Sequence, residues 1–142
     1  MSEQRRSLEG KYILVTRTRE QAGKLSEQLS AAGAIPLELP VIRIVPPSDW
    51  QPLDQALQEL CTNVAYDWLI FTSANGVRMA LDRLRSLGHD PQVLRAVRIA
   101  TIGPATAATL ENYGLVATLV PQEYIAESVA QALRDEAARR GV

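Results

Sequence analysis

Cysteine, histidine and any excess of one charge are nearly absent from this chain, and each shortage closes off a class of chemistry. The single cysteine, Cys61, cannot form an internal disulfide. It reads as a small buried hydrophobe rather than a catalytic thiol. The single histidine, His89, follows a helix-ending glycine and reads as a surface loop residue. No His, Cys, Asp or Glu cluster has metal-ligand spacing. Lys and Arg number 15 against 16 Asp and Glu, a formal net charge of −1. A broad nucleic-acid footprint needs a basic face, so that class is set aside. No apolar run nears the length of a membrane span. The phosphate-binding patterns GxGxxG and GxxxxGKS/T are both missing. The opening MSEQRRSLEG is polar and leads into a strand, unlike a secretory signal. Residues 1–10 are therefore expected to be a loose tail on a cytoplasmic protein.

What remains is ample for a core. The chain has 142 residues, 46% of them apolar and 22% charged, enough for one ordinary domain. Tyr12 to Thr16 reads as a strand. Ala22, Leu25, Leu29 and Ala32 then recur at the spacing of one helix face, capped near Thr18 or Arg19 and stopped by Gly33. Ile35 to Leu39 is a second strand. Val41 to Val45 extends it or forms a linker, before Pro46, Pro47 and Ser48 interrupt.

A helix over Leu53 to Leu60 follows, then a strand over Trp68 to Thr72. Val77, Leu81, Leu84 and Leu87 line the next helix, which Gly88 ends. Arg98 to Ile102 is a strand, Pro104 to Tyr113 a helix closed by Gly114, and Val116 to Val120 a last strand. A final helix runs from about Ile125 to Arg139, and its charged end reads as a solvated face. Trp50 and Trp68 read as packing residues.

Strand and helix thus alternate five times. Alternation of this kind implies an α/β fold with a parallel sheet covered on both faces. The expected form is a flavodoxin-like, doubly wound, three-layer domain with strand order 2-1-3-4-5.

Ligands of such sheets bind beyond the carboxyl ends of the strands. Those ends here read Thr16-Arg17-Thr18-Arg19, Thr72-Ser73-Ala74-Asn75-Gly76, Ile102-Gly103-Pro104-Ala105-Thr106 and Pro121-Gln122-Glu123-Tyr124-Ile125. Small residues allow close approach to the backbone. The first turn of each following helix carries N–H groups without internal partners and a partial positive charge. Such termini bind anions. With the guanidinium groups of Arg17 and Arg19 they would suit a ligand bearing several carboxylates or phosphates. Ser, Thr and Asn before a helix are also ordinary caps, so one turn alone says little. The pairing of TSANG with GPAT at adjacent strand ends gives the anion site its weight.

Two functions common on this fold fail on sequence. A phosphate-accepting receiver needs an acidic pair after the first strand and an Asp ending the third; Thr16-Arg17 and Thr72-Ser73 stand there. A flavin mononucleotide carrier needs a Ser/Thr/Gly loop that TRTREQ does not supply.

ILVTRTREQAGKLSEQLSAAGAIPLELPVIRI, DWLIFTSANGV, IATIGPATAATLENYGL and LVPQEYIAESVAQAL, in that order, resemble the uroporphyrinogen-III synthase family over about residues 11–140. The resemblance implies cyclisation of hydroxymethylbilane, with inversion of ring D and loss of water, and without metal or organic cofactor. The substrate bears eight carboxylates, and catalysis would lie in holding its acetate and propionate arms around a reactive azafulvene. By the same resemblance Thr72, Ser73, Ala74 and Asn75 bind carboxylates, with Gly103 and Thr106 beside them. Arg17, Tyr124, Ile125 and Ala126 are weaker carry-overs.

Members of the family are longer, with two domains joined by two linkers. This chain resembles the amino-terminal half and lacks the later VLLPRA-like unit, so little or no activity is expected of it alone. The β-α-β unit of residues 11–39 is expected to complete a single closed domain, or to be exchanged between two chains across a 40–47 hinge. A monomer or a domain-swapped homodimer would result. A non-catalytic flavodoxin-like scaffold or anion-binding module is the alternative.

Overall fold

The computed structural model describes residues 7–62, 66–123 and 125–140. Residues 1–6 of the expected tail, and Tyr124, lie outside them. The chain divides into two compact units, Met1–Pro46 and Pro47–Val142. The boundary falls at the Pro46-Pro47 interruption.

The first unit is a β-α-β arrangement: β1 (Tyr12–Val15), α1 (Arg19–Ala31) and β2 (Ile35–Glu38). The strands are parallel, in a register running from Tyr12 opposite Ile35 to Val15 opposite Glu38. Val15, Ala22 and Ala34 are buried. The Ser26 hydroxyl on α1 donates to Glu38 Oε1 at 2.6 Å. Strand alternation sends Tyr12 and Leu14, with Ile35 and Leu37 opposite, the other way, where all four are exposed. Residues 7–10, expected loose, instead form a turn. Leu8 N–H donates to Ala32 O and Gly10 N–H to Gly33 O. Pairing continues past β2, since Leu39 N–H reaches Val15 O at 2.9 Å and Val41 N–H reaches Thr16 O at 3.5 Å. The stretch after Val41 is irregular as far as Trp50.

The second unit holds α2 (Gln51–Thr62), β3 (Trp68–Phe71), α3 (Ala74–Ser86), a 3-10 helix (Pro91–Ala96), β4 (Arg98–Thr101), α4 (Pro104–Glu111) and α5 (Ala126–Arg140). β3 and β4 are parallel, from Trp68 opposite Arg98 to Phe71 opposite Thr101. The expected fifth strand is reduced to one parallel bridge, Ala100 to Leu119. A local competition explains this. Ile99 N–H donates to the Thr118 hydroxyl at 3.2 Å, so a side chain takes a ladder position. Val116 and Val120 point outward.

The core of this unit joins Leu57 and Leu60 of α2, Phe71 of β3, Val77, Leu81 and Leu84 of α3, Ile99 of β4 and Leu110 of α4. Leu94, wholly buried, comes from the 3-10 helix, an element without a periodic signature in the sequence. Asp90 starts it, accepting from Gln92 N–H at 2.9 Å. α3 ends as its glycine predicts. Gly88 has φ +86°, which permits Gly88 N–H to reach Arg85 O and His89 N–H to reach Leu84 O. A residue with a Cβ adopts that conformation only at a cost.

The observed architecture is therefore α/β, with parallel strands in pairs and helices supplying the buried side chains.

Candidate functional site: two helix starts at adjacent strand ends

Ile102 N–H donates to Phe71 O at 3.1 Å, which carries the β3–β4 pairing one step beyond β4. The TSANG and GPAT turns therefore leave the sheet side by side. Beneath them Val77, Leu81 and Leu84 anchor α3, and Leu110 anchors α4; all four are wholly buried.

The two starts differ in their backbone supply. At α3, Ser73 has the extended backbone of a capping residue, and its Oγ accepts from Gly76 N–H at 3.0 Å. Val77 N–H goes to Ser73 O at 3.2 Å. Among the described residues, the N–H groups of Ala74 and Asn75 have no acceptor. At α4, Gly103 stands at the cap without a side chain, and Pro104 opens the helix without an N–H. Thr106 and Ala107 N–H both donate to Gly103 O at 3.1 Å. Ala105 N–H is the donor left open there.

The side chains are also unequal. Thr72 and Ser73 are exposed, and Ala74, Asn75 and Gly103 are half-buried. Thr106 is only 7% exposed, and its hydroxyl has no protein partner among the described residues. Asn75 is engaged: its Oδ1 accepts from Arg78 Nη1 at 2.9 Å. Sequence reasoning passed over Arg78. The signal was present as the i, i+3 spacing from Asn75, which puts both on one helix face.

Arg78, Asp82 and Arg85 share the side of α3 that looks toward Tyr113, beyond the end of α4. The Tyr113 hydroxyl donates to Asp82 Oδ1 at 2.9 Å, and the Arg85 guanidinium lies 4.7 Å from the Tyr113 ring centre. Burial and then Asp82 push the Tyr113 hydroxyl above its ordinary pKa, while Arg85 and Arg78 pull it the other way. Arg78 thus stands on the α4 side of α3.

The other expected site residues fall elsewhere. Arg17 is exposed in the β1–α1 turn of the first unit. Ile125 lines a shallow groove with Glu123 and Glu127, whose carboxylates would oppose an anionic ligand. Ala126 is the first residue of α5, and Tyr124 is outside the described residues.

Neither turn contains an acid, a base or a thiol. Burial raises the pKa of Cys61 away from reactivity, in keeping with a packing residue. Among the described residues no group of His, Cys, Asp or Glu could hold a metal ion, and no helix is long and apolar enough to cross a membrane. The arrangement can offer backbone donors, one hydroxyl and one guanidinium to an anion. It holds no titrating pair for proton transfer.

A family model described as uroporphyrinogen-III synthase HemD matches residues 23–142. The chain is 40% identical over 122 residues to a uroporphyrinogen-III synthase of Synechococcus elongatus, covering 86% of this chain and 45% of the relative. It is 39% identical over 119 residues to the porphyrin biosynthesis protein HemD of Ruminiclostridium josui, covering 83% of this chain and 23% of that one. The chain therefore spans about half the length, or less, of these curated relatives. A mutant uroporphyrinogen III synthase from Thermus thermophilus superposes with a TM-score of 0.59 at 18% identity, covering 84% of this chain and 46% of that one. Uroporphyrinogen-III synthetase from Helicobacter pylori gives 0.55 at 16%, covering 90% and 55%. At those identities the structural likeness speaks for the fold alone.

Proposed function

The chain belongs to the uroporphyrinogen-III synthase family, and on that premise we propose that its paired TSANG and GPAT turns grip the carboxylates of a linear tetrapyrrole. The observation that carries this reading is the open N–H groups of Ala74, Asn75 and Ala105 at two neighbouring helix starts. Helix starts of this kind attract carboxylates by direct hydrogen bonds and by the helix dipole.

The reaction proposed is that of the family: closure of hydroxymethylbilane to uroporphyrinogen III, with ring D inverted and water lost, and with no cofactor. Thr72, Ser73, Ala74 and Asn75 hold carboxylate arms from one turn, and Gly103 and Thr106 hold them from the other. Arg17, Tyr124, Ile125 and Ala126 are the weaker candidates, since Arg17 belongs to the first unit and Ile125 adjoins Glu123 and Glu127. The protein's role is to restrain a reactive substrate so that ring closure takes the substituted carbon, which is work for positioning rather than for acid and base. A chain of this span is expected to bind substrate arms yet turn over little or none by itself.

The finer fold proposal is the 2-1-3-4-5 sheet. It requires the free edge of β1 to join the free edge of β3, within one chain or between two copies that exchange residues 11–39. A monomer that unfolds in one transition supports closure within the chain. A mass of two chains supports exchange, which would give the homodimer expected from the 40–47 hinge.

Function is tested by supplying hydroxymethylbilane and scoring uroporphyrinogen III against the spontaneously formed type I isomer. Amide shifts at Ser73, Asn75 and Thr106 on adding uroporphyrinogen test the grip separately. Type I product with no shifts would leave a non-catalytic scaffold as the better reading.

A further inference from the structure

We propose that Arg78 is the cationic side chain that binds a substrate carboxylate at the TSANG–GPAT pair, and that the Asn75 side chain holds its guanidinium in place. This rests on the carboxylate-binding reading above.

Three observations converge. First, Arg78 is exposed, and among the described residues no carboxylate pairs with it. Its obvious competitor on α3, Asp82, is already taken by the Tyr113 hydroxyl at 2.9 Å, with Arg85 at 3.9 Å. A guanidinium carries five N–H donors in a planar fork, and Asn75 Oδ1 occupies one of them at 2.9 Å. The rest remain for a bidentate carboxylate. Secondly, the Asn75 contact fixes the fork one turn from the open N–H groups of Ala74 and Asn75, on the side of α3 that faces α4. Thirdly, Thr106 supplies an independent pointer to a ligand. It sits in the first turn of α4, is more than nine-tenths buried, and leaves its hydroxyl without a protein partner. Its oxygen is not sealed from solvent as the orphaned Thr101 Oγ1 is, so an acceptor from outside can reach the free hydroxyl.

The division of labour between Asn75 and Arg78 follows. The Asn75 amide oxygen is an acceptor and would repel a carboxylate; directed at Arg78, it orients a cation instead. Ser73 is likewise spent, on Gly76 N–H. Arg78 thus becomes the cationic contact of the pair, and the Asn75 side chain a positioning group, while the Asn75 backbone N–H stays open to the ligand.

Uroporphyrin III, a stable porphyrin with eight carboxylates, is the probe, titrated into the full chain with amide shifts and fluorescence quenching as readouts. Arg78→Ala and Arg78→Gln should each weaken binding about ten-fold, the loss expected for one charge-assisted contact. Arg78→Lys should recover part of it. Asn75→Ala should weaken binding less, and should have no further effect when Arg78 is already Ala. Arg78 is exposed, so melting temperatures should stay with the parent.

Wild-type affinity in both Arg78→Ala and Arg78→Gln, with the Ser73 and Thr106 shifts intact, overturns the role of Arg78 and leaves the turn-pair reading standing. Additive effects of the Asn75 and Arg78 changes overturn the positioning role. Inorganic pyrophosphate binding more tightly than the porphyrin overturns the carboxylate assignment. No shift in the parent protein overturns the inference and the reading beneath it together.

Discussion

The starts of α3 and α4 look like two copies of one device, and they are not. α3 is capped by a side chain: Ser73 accepts from Gly76 N–H. α4 has glycine at its cap and proline next, so its first turn rests on the Gly103 carbonyl, which takes two N–H groups. α3 keeps two open donors and gains a cation from Arg78. α4 keeps one open donor and gains a nearly buried hydroxyl from Thr106. One turn brings charge and reach; the other brings a fixed, sheltered contact. A ligand with carboxylate arms at several distances can use both.

The largest test of this contrast removes the packing that holds the two starts in register. Leu81 is wholly buried on α3, and Leu81→Ala should cost about 3 kcal/mol of stability. Leu110→Ala, on the buried face of α4, should cost about as much. Urea denaturation of the two variants measures this. A loss under about 1 kcal/mol in either would mean that the helix above it can collapse into the space, and that its turn is not rigidly placed.

A middle-sized test concerns the caps. Ser73→Ala deletes the side-chain acceptor and should cost about 1 kcal/mol. Gly103→Ser, at a position with φ −158° and ψ 171°, should change stability by only a few tenths of a kcal/mol. Thermal melts of both variants compare the two starts directly. Equal losses would erase the difference between them.

A smaller effect lies in the tie behind α3, which α4 does not share. Arg83 donates two hydrogen bonds to Asp54, each 2.6 Å, and lies 4.8 Å from the centre of the Trp50 ring. The hydrogen bond from Arg83, helped by its charge and opposed by partial burial, lowers the Asp54 pKa below the usual carboxylate value. A depressed carboxyl contributes stability that is fully present above its unfolded pKa and is lost as pH falls through the folded one. The parent should therefore lose more of its melting temperature between pH 7 and pH 3 than Asp54→Asn does. Parallel curves would show the tie to be idle. The pair is partly exposed, so the difference should be modest and should shrink in salt.

These contrasts were unevenly legible in the sequence. The helix stops were readable because one residue carries each: Gly33, Gly88 and Gly114 all follow a helix and all have positive φ. The strand ends were readable because apolar runs give way abruptly to small residues, at Thr72 after Phe71 and at Gly103 after Ile102. The 3-10 helix over Pro91–Ala96 was not, since six residues are too few for a period to show. Nor was the shortening of the fifth strand to one bridge, which depends on the Thr118 hydroxyl, rather than a backbone carbonyl, taking the Ile99 N–H. At the site, the motif marked the turns but not the state of their side chains. Ser73, Asn75 and Thr106 look equally available in a one-dimensional reading. Folding commits the first to a cap and the second to Arg78, and it shelters the third.

Thr106 is where scaffold and site separate most cleanly, although the expected change in stability is the smallest. Valine has nearly the shape of threonine, so Thr106→Val keeps the packing and deletes the hydroxyl. In a position 7% exposed, a hydroxyl without a protein partner adds little to folding, and its oxygen keeps only limited contact with solvent. The variant should therefore melt at or slightly above the parent temperature, within about 1 kcal/mol. If the hydroxyl serves a ligand, uroporphyrin III should bind the variant several-fold more weakly, with the Thr106 amide shift reduced and the Ser73 shift retained. A capping or packing role predicts the reverse pattern, lower stability with unchanged binding. That outcome would reduce the GPAT turn to a well-made connection and leave the TSANG turn as the whole of the grip.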